Sequence, residues 1–207
     1  MIREDSRNII LSVLGVLILI VSVIGISYAI FVFSSLGKEE NVINTGTISM
    51  EYNESEDKII KIEGATPVSD AVGKAQNEYF DFSLKATIGG KATITYEIRA
   101  KKLPVDVSML SDNDVRLYLE KRINNEYTEV MRPRHFELMG ETSINSSIVD
   151  KDTMLLYSGT FTNNTSATKS FYEKYRLRMW LGEQTVIDSV SRMYKVKVDV
   201  FASVNSI

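Results

Sequence analysis

The feature that most constrains this chain is a long apolar segment near its N-terminus, Ile9–Phe33. No charged residue occurs between Asn8 and Gly37. As a helix rising about 1.5 Å per residue, the segment would be about 37 Å long, whereas the hydrocarbon core of a bilayer is about 30 Å thick. A domain of this size has too little interior to surround such a helix on every side, so Ile9–Phe33 is predicted to cross a membrane.

Two roles are open for this segment, a permanent anchor or a cleaved export signal. Ser27-Tyr28-Ala29 carries the small residues that a signal peptidase reads, so cleavage after Ala29 is chemically reasonable. The apolar run of an ordinary signal peptide is only about 7–15 residues long, which favours an anchor. Arg3 and Arg7 precede the segment and Lys38 follows it, so the N-terminus is predicted to lie inside. The predicted location is the cell membrane with an extracellular C-terminal domain, or secretion after cleavage.

Composition excludes several classes of function. The chain has no cysteine, which excludes disulfides, thiolate nucleophiles and cysteine-ligated metals. His135 is the single histidine, which excludes paired-histidine zinc motifs. The 24 Lys and Arg residues are balanced by 27 Asp and Glu residues, so nucleic acid is not a predicted partner. We predict no cofactor, no resident metal and no enzymatic activity.

The rest of the chain is predicted to be all-β. Residues 1–37 form the cytoplasmic stub and the transmembrane or signal helix, and residues 38–207 form one extracellular domain. In Met193–Ala202 an apolar residue occurs at every second position, from Tyr194 to Ala202, and Phe171–Leu181 alternates in the same way. Many short alternating segments separated by polar turns are typical of an antiparallel β-sandwich or jelly roll.

Turn residues predict how these strands are connected. Hairpins are expected at Asn124-Asn125, at Asn163–Thr168 and at Ile88-Gly89-Gly90, because Asn and Gly tolerate positive φ. Val42–Tyr52 is predicted to form one opening strand. Glu183–Ser191 is compatible with a short helix.

Three positions have both a chemical and a structural interpretation. Asp112-Asn113-Asp114 resembles a fragment of a calcium loop, but a turn held by its own side chains is favoured. His135 is favoured as a surface or edge residue; with Arg132 and Arg134 it is compatible with a small anion patch, but a solvated loop is favoured. Trp180 is compatible with a carbohydrate-stacking platform, but a core or rim aromatic is favoured.

The order of the N-terminal motifs resembles the camelysin/TasA-like family of Gram-positive exported surface and biofilm-matrix proteins. The motifs are Ser27-Tyr28-Ala29-Ile30-Phe31 followed by Asn41–Met50, and Tyr175–Leu181 is similar to a late strand of relatives. The resemblance implies an exported jelly roll, cleaved by a dedicated peptidase. In some members the N-terminal strand completes the sheet of the next subunit. The matching residues here are Val42, Ile43, Ile48 and Met50. Ser49 departs from the family pattern, which often has Asp at that position.

The leading hypothesis is a non-enzymatic envelope protein that acts by assembly, with itself or with another envelope protein, as a matrix or fibre subunit. One alternative is a tethered binding module for cell-wall glycan or a surface partner, using loops such as Asn163–Thr168 and Asp112–Asp114. A weaker alternative is an extracellular hydrolase.

Overall fold

The computed structural model describes residues 30–33, 41–44, 48–54, 60–138, 152–188 and 190–206. These described residues contain one short helix, α1 (Asp70–Ala75), and twelve strands. The strands in chain order are β1 (Ile30–Phe33), β2 (Asn41–Asn44), β3 (Ile48–Glu54), β4 (Ile60–Glu63), β5 (Phe80–Ile88), β6 (Ala92–Lys102), β7 (Ser108–Met109), β8 (Val115–Ile123), β9 (Glu126–His135), β10 (Thr153–Asn163), β11 (Lys169–Leu181) and β12 (Arg192–Ser206).

The strands form two sheets that pack face to face, so the all-β, sandwich-like prediction is confirmed. Sheet A has the order β1-β12-β6-β10, with β4 and β7 also paired to β12. Sheet B has the order β2-β3-β5-β11-β8-β9. Every pairing is antiparallel except the short β7–β12 contact. The alternation explains the core, because Tyr194, Val196, Val198, Val200 and Ala202 of β12 are all buried between the sheets.

The predicted hairpin at Asn124-Asn125 is confirmed. Strands β8 and β9 pair antiparallel, with Ile123 opposite Glu126. Asn124 has φ 50° and Asn125 has φ 70°. Two successive residues in the left-handed region are typical of a type I′ turn, whose twist matches that of the flanking strands.

The other two predicted hairpins are wrong. Strand β5 pairs with β3 and β11 in sheet B, whereas β6 pairs with β10 and β12 in sheet A. In the same way β10 belongs to sheet A and β11 to sheet B. Both connections therefore cross from one sheet to the other as arches. Gly90, with φ +79°, allows the first crossing because it has no Cβ.

The N-terminal predictions fall partly outside the described residues. Ile9 and Ala29 lie outside them. The last four residues of the expected helix, Ile30–Phe33, instead form β1, which pairs with β12 from Ser203 to Val200. Sheet A therefore includes a strand N-terminal to residue 38. Aromatic and β-branched residues favour a pleated strand wherever a neighbouring edge can pair with them. Within the described residues, no helix has the length and apolarity needed to cross a membrane.

Two further local predictions need correction. Val42–Tyr52 is not one strand, because β2 and β3 pair antiparallel, with Ile43 opposite Met50. In Glu183–Ser191, the described residues are irregular rather than helical. The helix lies instead at α1, where the Ser69 hydroxyl accepts a hydrogen bond from the Val72 N–H and Asp70 lies in the first turn.

Candidate assembly edge and polar clusters

The four predicted assembly residues lie in two different environments. Val42 and Ile43 belong to β2, the terminal strand of sheet B. Ile48 and Met50 belong to β3, which lies between β2 and β5. Met50 is part of the core and Ile48 packs against it. Only the β2 half of the predicted assembly segment therefore lies on a sheet edge.

The ends of the two sheets differ in how they are protected against further pairing. The register of β9 against β8 shifts on both sides of Leu119, and β9 contains Pro133. The edge strand β10 has a register shift between Leu155 and Tyr157. Prolines and bulges discourage the addition of another strand. The sequences of β1 (IFVF) and β2 (NVIN) contain neither proline nor charge. The two N-terminal strands are thus the least protected edges by sequence.

A buried polar cluster joins the two sheets. The Tyr175 hydroxyl donates to the Glu173 carboxylate at 2.6 Å, and the Tyr96 hydroxyl donates to the same carboxylate oxygen. The two phenol oxygens are 2.7 Å apart. The Lys121 ammonium lies 2.6 Å from the other oxygen of Glu173. Burial, together with the neighbouring carboxylate, raises the pKa of both phenols, so they remain neutral donors.

The outer face of sheet B carries a second cluster, in which Arg176 is held from three sides. Its guanidinium makes a bidentate pair with Asp81 at 2.9 and 3.0 Å. The same group lies 3.6 Å from the ring centre of Tyr79 and 3.9 Å from that of Tyr127. This geometry combines a charge-assisted pair with cation–π stacking, which fixes the side chain in place. The Asp81 carboxylate and both rings are engaged by the one guanidinium, which favours a structural role.

Trp180 is buried, which confirms the favoured interpretation and excludes a stacking platform on the folded surface. Its side chain is on the outer face of sheet B and is only 2% exposed, because α1 covers it. A Cβ at Gly73 would lie 2.7 Å from Cγ of Trp180 and closer still to two other ring carbons. The helix can approach the indole only because position 73 is glycine.

The Asp112–Asp114 segment is a turn, and the carboxylate of Asp112 contacts side chains of sheet A. Asp112 accepts hydrogen bonds from the Lys102 ammonium at 3.0 and 3.1 Å and from the Tyr194 hydroxyl at 2.7 Å. The Ser111 hydroxyl accepts from the Asn113 N–H at 3.3 Å. The segment is a turn, as predicted, but Ser111 rather than Asp112 supplies the side-chain bond to its backbone, because the Asp112 carboxylate contacts Lys102 and Tyr194. Within the described residues, no three His, Cys, Asp or Glu side chains group as metal ligands.

The basic side chains around His135 contact different parts of the fold. Arg134 reaches toward sheet A and donates to the Leu155 carbonyl at 2.5 Å. The His135 ring instead contacts the Arg116 guanidinium on the neighbouring strand. The two side chains have different partners and do not converge on a shared anion site. The predicted solvated loop is wrong, because Arg132, Arg134 and His135 lie in the edge strand β9.

The Asn163–Thr168 arch is organised by one buried amide. Asn163 is 0% exposed and donates to the Ile88 carbonyl at 2.9 Å and to the Ala167 carbonyl at 2.7 Å. Its oxygen accepts from the Thr165 N–H at 3.0 Å. Because Ile88 ends β5, this side chain ties both arches together.

Comparison with protein-family models finds no match, and comparison with curated proteins finds none either. The resemblance to the camelysin/TasA-like family therefore stays a prediction. The clusters that sequence reasoning missed are Tyr96–Glu173–Tyr175–Lys121 and Asp81–Arg176 with its two tyrosines. The first has a sequence signal, because Glu173 has the same strand parity as the core residues Tyr175 and Leu177.

Proposed function

We propose that this chain is a non-enzymatic envelope protein, exported or membrane-anchored, that acts by protein–protein assembly. In this proposal a helix N-terminal to β1 serves as the export signal or anchor, and the two sheets form an extracellular jelly roll. The domain acts as a matrix or fibre subunit outside the cell.

The observation that supports this proposal is the edge at β2, which no other strand of the described residues covers. The strand is uncharged, contains no proline and ends sheet B, and it lies in the segment that carries the family resemblance. An edge strand of this kind presents unpaired main-chain groups to a further strand.

The first experiment is a matched pair of substitutions, Val42→Pro and Ile43→Pro, in the full chain. Neighbouring residues of an antiparallel edge strand direct their N–H groups alternately toward the sheet and away from it. One proline therefore removes a bond inside the β2–β3 hairpin, and the other removes only an outward donor. The melting temperature identifies the outward position, because that variant keeps the stability of the parent.

The outward proline is expected to weaken self-association about tenfold or more. A partner carbonyl left without its donor costs about 1–3 kcal/mol, and about 1.4 kcal/mol is tenfold in affinity. Sedimentation velocity over a range of concentrations measures the change. A parent chain that stays monomeric at every concentration contradicts the proposal, and so does association that neither proline alters.

The intact mass of the native protein tests location and processing. Cleavage after Ala29 would give a chain that begins at Ile30, the first residue of β1. A mass that begins at Ile30 in the medium supports an exported subunit, and a mass that begins at Met1 in membranes supports an anchored one. A full-length chain found only in the soluble cell interior contradicts both forms of the proposal.

A further inference from the structure

The two ends of the sandwich are chemically different. Strand β12 runs the length of sheet A for 15 residues, or about 45 Å. At its first residue it pairs with β7, and β11 ends nearby at Leu181. At its other end it lies beside the start of β6, where both arches cross. We call the end at β7 and Leu181 the apolar pole. We call the end at the start of β6, where the two arches cross, the lysine pole.

Two connections at the apolar pole together carry half of the large exposed hydrophobic side chains of the described residues. In the connection between β11 and β12, Val186 is 84% exposed, Ile187 is 61% exposed and Val190 is 50% exposed. Val107 and Met109 are exposed in the adjacent connection that leads through β7. Exposed apolar residues gathered at one site mark a contact surface more often than scattered ones do.

The connections at the apolar pole are also acidic. Residues 103–114 and 182–191 contain no Lys or Arg. Asp112 is paired with Lys102 and Asp188 with Arg192. Asp106 and Glu183 are exposed acids in the same two connections. This charge opposes docking on an anionic lipid surface, because such a surface attracts basic residues.

The lysine pole has the opposite charge and an apolar rim. Lys91 is exposed in the first arch, Lys169 is exposed at the end of the second, and residues 89–91 and 164–170 contain no acid. Lys169 lies 4.9 Å above the ring centre of Phe171. Ile48, Phe171 and Val204, all near this end, are only partly buried against the core.

We propose that the apolar pole of one copy docks against the lysine pole of a second copy of this chain. Apolar and acidic groups on one surface meet apolar and basic groups on the other, so the two surfaces are complementary in both respects. Because the surfaces differ, the contact is heterologous, and because they lie at opposite ends of the sandwich it joins copies head to tail. This inference rests on the proposed function and names a contact separate from the β2 edge.

The test uses two variants of the full chain kept in solution with a mild detergent. Val186→Ser with Ile187→Ser disables the apolar pole, and Lys91→Glu with Lys169→Glu disables the lysine pole. All four side chains are exposed, so the fold is expected to be retained, and circular dichroism checks it. Each variant alone is expected to associate at least tenfold more weakly than the parent chain. An equal mixture of the two is expected to give a dimer that grows no further, because each copy keeps one intact pole.

The outcomes separate this inference from the proposed function. If the outward β2 proline abolishes association and both pole variants associate like the parent, the pole contact is refuted and assembly through the edge stands. If neither variant associates and the mixture also fails to form dimers, the contact is not heterologous and the inference is refuted. If the parent chain never associates, both proposals fail.

Discussion

The close approach of α1 to Trp180 makes Gly73→Ala a test of the packing argument, because two physical effects predict opposite signs. Alanine is a better helix former than glycine by about 1 kcal/mol, so helix propensity alone predicts a more stable protein. The geometry predicts the reverse. A Cβ at position 73 would lie 2.7 Å from Cγ of the indole, where ordinary contact begins near 3.4 Å.

The helix cannot move away without loss. The Val68 N–H donates to the Leu181 carbonyl at 3.0 Å, Arg178 donates to the Gln76 carbonyl at 3.1 Å, and Lys74 pairs with Glu129 at 3.2 Å. Overpacking of this kind costs about 2–3 kcal/mol, and the propensity gain offsets about 1 of it. The net loss of about 1–2 kcal/mol lowers the melting temperature by about 2–8 °C for a chain of this length.

The assay is tryptophan fluorescence, because Trp180 is the single tryptophan of the chain. Displacement of α1 is expected to shift its emission to longer wavelength and to raise acrylamide quenching. Val72→Ala is the matched control, since Val72 is exposed on the same helix and its change leaves the indole covered. A Gly73→Ala variant that is more stable than the parent, with unchanged emission, refutes the close-packing argument.

Two further predictions concern the arches and the buried phenols. Asn163→Ala removes the amide that donates to the Ile88 and Ala167 carbonyls, which is expected to lower the free energy of unfolding by about 2–4 kcal/mol and the melting temperature by about 5–15 °C. Asn164→Ala, at an exposed neighbour, is the control and is expected to leave the melting temperature unchanged. At alkaline pH stability is expected to fall, because burial raises the pKa of Tyr118 to about 12 and the pKa of Tyr96 and Tyr175 further. Their contribution is complete below about pH 10, where the unfolded phenol ionises, and is lost as pH rises through the folded values. Urea unfolding at a series of pH values measures the loss of stability, and tyrosinate absorbance monitors ionisation of the phenols. A free energy of unfolding that stays constant between pH 9 and about 12 contradicts the prediction.

Alternation and local turn chemistry were enough to predict the long strands from β5 onward, but not β1, the break between β2 and β3, or the partners of the strands. The Asn124-Asn125 turn was predictable because a two-residue hairpin has a local backbone requirement that asparagine meets. The arches beside Gly90 and Asn163 have the same local pattern of strand, small polar residues and strand. Whether the second strand pairs with the first or crosses to the other sheet depends on the core and on contacts such as Asn163 to Ile88, which are distant in sequence.

The helix over Trp180 shows a different limit of sequence reasoning. Alternation puts Trp180 on the same face as Arg176 and Arg178, which is the outer face of sheet B, and outer faces are normally exposed. Its burial depends on a six-residue helix that contains Val72 and Gly73, both weak helix formers. Such a helix is too short to be stable alone, so its existence follows from packing on the indole.

The Glu173 cluster, by contrast, was within reach of the sequence. In β11 the residues at 175, 177, 179 and 181 line the core, so the same parity places the Glu173 carboxylate on that face. A carboxylate facing an apolar interior requires donors, because an unpaired buried charge is far more costly than a paired one. The candidates were residues with hydroxyl or ammonium groups and core-facing parity. The donors are Lys121 on the neighbouring strand β8 and Tyr96 on β6 of the opposite sheet. Strand parity therefore identifies which polar residues must find partners, even where it does not say which sheet will provide them.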